Sequence, residues 1–334
     1  MRESRPIEAS VFAEARSRGL DPVIARIVAG RISDETPLDV VLDPQLQHIA
    51  PPSELTDITK AADRLQTAIR VGERIGVLTD YDADGLTSHA VITESLQRFG
   101  VSPENISHWI GHRLEDGYGI SETLVDRLLE SLPVPQVLIS ADCGSSDEVQ
   151  IGRLKDAGVD VIVTDHHRVS DRGPPASAWA VVNPNRADCR YPDKAIAGCM
   201  VSWLVMSFLR QRLIDQGVLV PTTPKLGDLL DYVALGTVAD CVSLGSSETN
   251  RAVVKAGLSL IARQQRPCWQ VALSQLTRAP RDLNAELLAF QLAPRLNARG
   301  RIAHSLRGYE YLVATSVSEA TNAFLDTSTL REGK

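Results

Sequence analysis

The sequence predicts an α/β protein: a parallel sheet with helices on both faces. Three observations carry that prediction. From about Ile58 onward, apolar runs of four to six residues alternate with helical stretches, the pattern of a doubly covered sheet. Three of these runs end in clustered polar groups. Ile75-Gly76-Val77-Leu78 leads into Asp80-Tyr81-Asp82-Ala83-Asp84-Gly85, Val137-Leu138-Ile139-Ser140 into Ala141-Asp142-Cys143-Gly144, and Val161-Ile162-Val163-Thr164 into Asp165-His166-His167. Open parallel sheets bind ligands at the carboxyl ends of their strands, so the pattern suggests a site as well as a fold.

The elements follow in order. The first fifty or so residues carry Pro6, Pro22, Pro37, Pro44, Pro51 and Pro52 and read as a helical, loop-rich lead-in. Thr59 to Glu73 is expected to be a helix, Ile75 to Thr79 a strand, and Leu86 to Phe99 the next helix, with Gly100 as its stop. A strand near Ile106 to Ile110 and a helix from Ser121 to Ser131 come next. Strands Val137 to Ser140 and Val161 to Thr164 flank a helix from Ser146 to Ala157, and a short extended segment, Ala180 to Asn183, precedes Pro184. Helices are expected over Cys199 to Leu213, Leu226 to Leu235 and Arg251 to Ala262. A fourth polar candidate, Asp240, follows Leu235-Gly236-Thr237-Val238-Ala239.

At 334 residues the chain can bury a full core and favours about two domains. Its hydrophobic fraction of 43% and charged fraction of 23% are ordinary for a globular protein. No window approaches the roughly 18 unbroken apolar residues of a membrane span, and the N-terminus leads into no signal core, so the cytosol is expected. The five cysteines form no CxxC pair, which points away from a zinc knuckle or a disulfide framework. A net charge of −7 argues at first against a nucleic-acid partner. If Asp80, Asp82, Asp84, Asp142, Asp165 and Asp240 surround two divalent cations, the metal offsets much of that charge where a substrate would sit.

In an extended chain, positions i, i+2 and i+4 face one side, so Asp80, Asp82 and Asp84 can converge on one point. Taken alone the stretch reads as a solvated acidic turn; the two other clusters turn the reading toward metal. Oxygen ligands with one or two imidazoles suit Mn²⁺ or Mg²⁺ better than structural zinc. Two such ions roughly 3.5–4 Å apart can acidify a bound water and steady charge on a phosphoryl group, which is phosphodiester hydrolysis. His166 and His167 cannot both point the same way, so one can ligate metal while the other faces the substrate. His48, His89, His108, His112 and His304 read as packing or surface residues, and Cys143 as a packing residue.

Asp80-Tyr81-Asp82-Ala83-Asp84-Gly85, Asp142-Cys143-Gly144, Asp165-His166-His167 and Gly236-Thr237-Val238-Ala239-Asp240 resemble, in order and spacing, the four motifs of the DHH phosphoesterases. Further stretches are similar to the RecJ branch, whose members are 5′ exonucleases specific for single strands. They are Arg113-Leu114-Glu115-Asp116-Gly117-Tyr118-Gly119, Val182-Asn183-Pro184-Asn185, Ala197-Gly198 and Ala293-Pro294-Arg295-Leu296-Asn297-Ala298-Arg299-Gly300-Arg301. The resemblance implies that Asp82, Asp84, Asp142, His166 and Asp240 ligate two Mn²⁺ or Mg²⁺ ions, with Asp142 as bridge. It implies that Asp80 and Asp165 orient ligands, that His167 contacts the scissile phosphate, and that Arg113, Asn183, Arg295, Asn297 and Arg301 hold single-stranded DNA. Arg299 departs from the family's usual small residue.

By the same resemblance, residues 1–55 form the lead-in, 56–245 the DHH domain, 246–280 a connecting helix and linker, and 281–334 the start of a DHH-associated domain. RecJ proteins continue beyond that point, so the chain reads as a catalytic core, with a protein partner or second copy expected to supply further DNA-gripping surface. The implied activity is 5′ to 3′ release of mononucleotides in DNA repair and recombination. Short oligonucleotides, cyclic dinucleotides or phosphoadenosine phosphate are the alternative substrates, and a non-catalytic scaffold is the reading from another class.

Overall fold

The computed structural model describes residues 5–275, 283–297 and 305–328. Five parallel strands form its sheet: β1 (Ile75–Thr79), β2 (Ile106–Ile110), β3 (Val137–Ala141), β4 (Asp160–Thr164) and β5 (Ala180–Val182), in the order β2-β1-β3-β4-β5. The fold class read from the sequence is therefore borne out. Alternation along each strand sends Val77, Ile139 and Ile162 to one face and Leu78, Leu138, Val161 and Val163 to the other. All of these are buried, so both faces need a covering layer.

Helices α1 (Ala9–Ser17), α2 (Pro22–Ala29) and α3 (Leu38–Leu42) build the lead-in around a small core that includes Val11, Ala15, Ala25 and Leu38. Helices α4 (Ile58–Val71) and α5 (Ala83–Arg98) cover one face of the sheet, and α6 (Glu122–Glu130) and α7 (Glu148–Asp156) the other. Helix α8 (Gly198–Asp215) packs on α4 and α5. Helix α9 (Leu230–Ala239) lies on α5, with α10 (Glu248–Ala262) against it. Helices α11 (Pro267–Ser274), α12 (Ala285–Leu287), α13 (Ala293–Asn297), α14 (Ser305–Leu312) and α15 (Val317–Ser328) follow, with a π-helical turn, Leu288–Leu292, between α12 and α13. Leu287, Leu296, Tyr309 and Leu312 share one core with β1 and α5, so the described residues after 281 pack directly onto the sheet-bearing part.

Two helices start three residues earlier than the sequence suggests: α10 at Glu248, behind the capping Ser247, and α5 at Ala83. Helix α5 begins at Ala83 instead of Leu86 because Asp82 caps it: the carboxylate accepts the N–H groups of Asp84 at 2.9 Å and Gly85 at 3.0 Å. The three aspartates are thus not one extended stretch. Asp80 directly follows the strand, Asp82 caps the helix and Asp84 lies in its first turn.

Candidate metal centre

Strand register builds the site. Thr79 is level with Ala141, Ala141 with Thr164, and Thr164 with Val182. The next residues, Asp80, Asp142, Asp165 and Asn183, therefore form a row along the carboxyl edge of the sheet. The row crosses the β1/β3 boundary, where the strand order reverses and a crevice opens. Asp142 holds a left-handed backbone with φ of 59°. Asp tolerates that region better than most residues, and strain of this kind concentrates at functional sites.

Helix ends bring the remaining groups. Asp84 accepts the N–H groups of Gly198 at 2.7 Å and Cys199 at 2.9 Å, so its carboxylate sits on the positive end of α8. Asp240 caps the C-terminal end of α9. His166 Nε2 lies 3.2 Å from Asp142 Oδ1, 3.5 Å from Asp240 Oδ2 and 3.8 Å from Asp84 Oδ2. Three sets of side chains have ligand atoms within 4.8 Å of one another: Asp80 with Asp82 and Asp142, Asp84 with His166 and Asp240, and Asp142 with both histidines.

Close approach of α9 depends on Gly236. A Cβ there would stand 2.3 Å from Thr87 Oγ1, 2.6 Å from Cys199 Sγ and 2.8 Å from Asp84 Oδ1. Gly236→Ala is expected to cost about 1–3 kcal/mol of stability and to weaken Mn²⁺ binding by displacing Asp84. Thermal unfolding and calorimetric titration check both effects; unchanged Mn²⁺ affinity would separate Asp84 from the site.

The electrostatics ask for cations. Burial, then the neighbouring Asp82 charge, pushes Asp80 up to about 7, and burial with Asp84 and Asp82 does the same to Asp240. Burial and the charges of Asp84 and Asp82 hold Asp142 well above the ordinary carboxylate range. Asp142 Oδ1 and His166 Nε2 are buried with no hydrogen-bond partner, although such groups are normally satisfied. An oxygen-rich set with one or two imidazoles and two orphaned ligand atoms fits Mn²⁺ or Mg²⁺.

His167 is held differently. Its Nδ1–H donates to Asp165 Oδ1 at 2.8 Å. Asp165 also accepts the N–H groups of Ser145, His166 and His167. Burial opposes the imidazolium, but the hydrogen bond and charge of Asp165 outweigh it and push His167 up to about 9. Burial likewise opposes ionised Asp165, and His167 with Ser145 still draws it below the usual range.

These shifts fix a sign. Asp80, Asp240 and His167 bind protons more tightly folded than unfolded, from ordinary values of 3.8, 3.8 and 6.5. The stability they contribute is present at low pH and is lost as pH rises through about 7 and about 9. The Tm of the metal-free protein is expected to fall from pH ~6 to pH ~9, and excess Mn²⁺ to raise Tm and flatten the slope, because a cation favours the ionised carboxylates. A metal-free Tm that climbs over this range contradicts the assignment.

The other expected site residues are distributed unevenly. Arg113 is exposed beside the centre, its guanidinium 5.9 Å from the Tyr81 ring centroid. Asn183 is fully buried, and its amide donates to Ser145 Oγ at 2.8 Å and to the His167 carbonyl at 2.9 Å. Arg295 is half-buried against Phe324, with its guanidinium 5.2 Å from the ring centroid, and lines a small cavity with Leu235, Trp269 and Tyr311. Asn297 reaches the start of α5, where its side-chain oxygen accepts the Ala83 N–H at 2.7 Å. Arg301 lies outside the described residues, as does Arg299. Cys143 is buried, and burial pushes its thiol up, as suits a packing residue.

Ser145, Asn185 and Tyr118 also belong to the surroundings of the site, and sequence reasoning passed over them. Ser145 N–H holds Asp165, the Asn185 amide donates to the His166 carbonyl, and the Tyr118 ring lies edge-on to His167 at 5.3 Å between centroids. Asn185 and Tyr118 stand inside stretches singled out above, whereas nothing in Ser145-Ser146 distinguishes it from an ordinary loop.

A parallel sheet whose carboxyl edge gathers aspartates and adjacent histidines is the architecture of a DHH-type phosphoesterase domain. The DHH family, N-terminal domain, matches residues 74–237. The single-stranded-DNA-specific exonuclease RecJ of Salmonella typhimurium is 37% identical over 323 residues, 96% of this chain and 54% of its own length. A crystal structure of exonuclease RecJ bound to manganese superposes with a TM-score of 0.71 at 31% identity, over 83% of this chain and 66% of that one. RecJ from Thermus thermophilus in complex with Mn²⁺ gives 0.77 at 27% identity, over 98% of this chain and 44% of that one. Residues 74–237 thus carry a DHH-family domain, and the chain as a whole is RecJ-like. It spans about half the length of the curated relatives from Salmonella typhimurium and Escherichia coli. Among the described residues, no helix is long and apolar enough to cross a membrane.

Proposed function

We propose that the protein hydrolyses phosphodiester bonds of single-stranded DNA in the 5′ to 3′ direction, releasing 5′ mononucleotides with the help of two Mn²⁺ or Mg²⁺ ions. The observation that carries this reading is the meeting of Asp142 Oδ1 and His166 Nε2 at 3.2 Å, two buried atoms without hydrogen-bond partners, among four further aspartates. Asp82, Asp84, Asp142, His166 and Asp240 would hold the ions, with Asp142 shared because it belongs to two of the three ligand sets. When bound, the ions supply a water nucleophile acidified toward neutral pH and an electrostatic clamp on the phosphoryl oxygens.

The chain's own residues do the rest. Asp165 fixes the His167 ring through Nδ1, which leaves Nε2 to donate to a non-bridging oxygen of the scissile phosphate. Asn183 and Asn185 brace the His167 and His166 carbonyls from below, so both rings keep their directions. Arg113, exposed at the rim, supplies a cation for the DNA backbone. The roles in DNA repair and recombination, and a protein partner or second copy that extends the DNA-gripping surface, belong to the same proposal.

End-labelled strands test it. With Mn²⁺, a 5′-labelled single strand should release labelled mononucleotide at once, while a 3′-labelled copy shortens progressively. Cleavage of a dinucleotide alone would replace long DNA by a small substrate, and no cleavage of any of the three would overturn the hydrolytic reading.

A further inference from the structure

Asn297 is the last residue of α13, yet its side-chain oxygen accepts the backbone N–H of Ala83, 214 positions earlier, at 2.7 Å. Ala83 opens α5 between Asp82 and Asp84. The first N–H groups of a helix have no partner within it. Here Asp82 accepts those of Asp84 and Gly85 through its carboxylate and that of Leu86 through its carbonyl. The Ala83 N–H is left over, and Asn297 takes it. The metal-binding turn therefore has a complete hydrogen-bond set only when α13 is seated. Helix α13 packs against both α5 and α9, the helices that carry Asp84 and Asp240, and Leu296 anchors it in the core.

We propose that Asn297 is a positioning residue for the metal centre: by holding Ala83 it sets the poses of Asp82 and Asp84, and so links metal affinity to the docking of the C-terminal helices. This rests on the metal-centre reading above and replaces the substrate contact expected from the resemblance. A contact to DNA phosphate needs the amide as a donor. A clamp on Ala83 N–H needs only an acceptor, which aspartate also provides at a helix start.

Two substitutions separate these roles. Asn297→Ala is expected to weaken Mn²⁺ binding by about ten- to a hundredfold, the usual cost of losing a group that orients a ligand. Asn297→Asp is expected to restore affinity to within about twofold, because both side chains cap helices equally well. The KM for a single strand at saturating Mn²⁺ should stay unchanged in Asn297→Ala, and hydrogen exchange at the Ala83 amide should speed up. Wild-type Mn²⁺ affinity in Asn297→Ala, or a raised KM with normal Mn²⁺ affinity in Asn297→Asp, overturns the proposal. If the alanine variant does not fold, the aspartate variant decides alone. A wild-type chain that binds no Mn²⁺ refutes the metal centre instead, and exchange at Ala83 then still tests the clamp.

Discussion

Asp142→Ala is expected to reduce hydrolysis to background, a loss of at least about 10³-fold. Removing one hydrogen-bond donor from a preorganised site already costs roughly 10²–10³-fold, and Asp142 offers more than a hydrogen bond. It stands at the centre of the edge row, belongs to two of the three ligand sets, and keeps an orphaned oxygen 3.2 Å from His166. No neighbour can replace it, because Asp80, Asp165 and Asn183 occupy the adjoining places. Its left-handed backbone disfavours alanine, so Asp142→Asn is the companion variant: asparagine accepts that conformation. Both variants should lose mononucleotide release in a Mn²⁺ assay while circular dichroism shows a folded chain. Substantial activity in the asparagine variant would remove Asp142 from the chemistry.

His167→Ala is expected to lower kcat by about 10²–10³-fold, the effect of losing one aimed donor, with Mn²⁺ affinity changed only a few-fold. The two histidines differ in what holds them. His166 Nε2 points at three carboxylates, whereas His167 Nδ1 is bound to Asp165 and its ring is partly exposed beside Tyr118. On the proposed reading the first ligates metal and the second donates to substrate. Asp165→Asn should reproduce much of the loss, since an amide in that place no longer accepts as an anion what Nδ1–H donates. Single-turnover rates with calorimetric Mn²⁺ binding check the pair. A large fall in metal affinity in His167→Ala would make it a ligand instead.

Much of the fold is legible in the sequence, and the reasons are local. Ile75–Thr79 lies where its run and flanking turns put it, because a fully buried parallel strand has few alternatives to an apolar run. The start of α5 is not legible in the same way. Asp82 can equally continue an extended stretch or cap a helix, and contacts from distant segments, α8 on Asp84 and Asn297 on Ala83, favour the cap. Asn183 shows the same limit at the site. A polar residue before proline resembles an exposed turn, and the fact that it falls level with Asp80, Asp142 and Asp165 depends on strand register, which no local pattern carries. The Asn297 to Ala83 contact joins segments 214 positions apart and is invisible to any reading of spacing.

The most direct measurement is anomalous diffraction at the manganese edge from crystals grown with Mn²⁺. The account predicts two peaks in the crevice at the β1/β3 boundary, one near Asp80 and Asp82 and one near Asp84, His166 and Asp240, with Asp142 touching both. A single peak, or peaks that leave Asp142 without a metal, would contradict the two-metal centre on which the proposed activity rests.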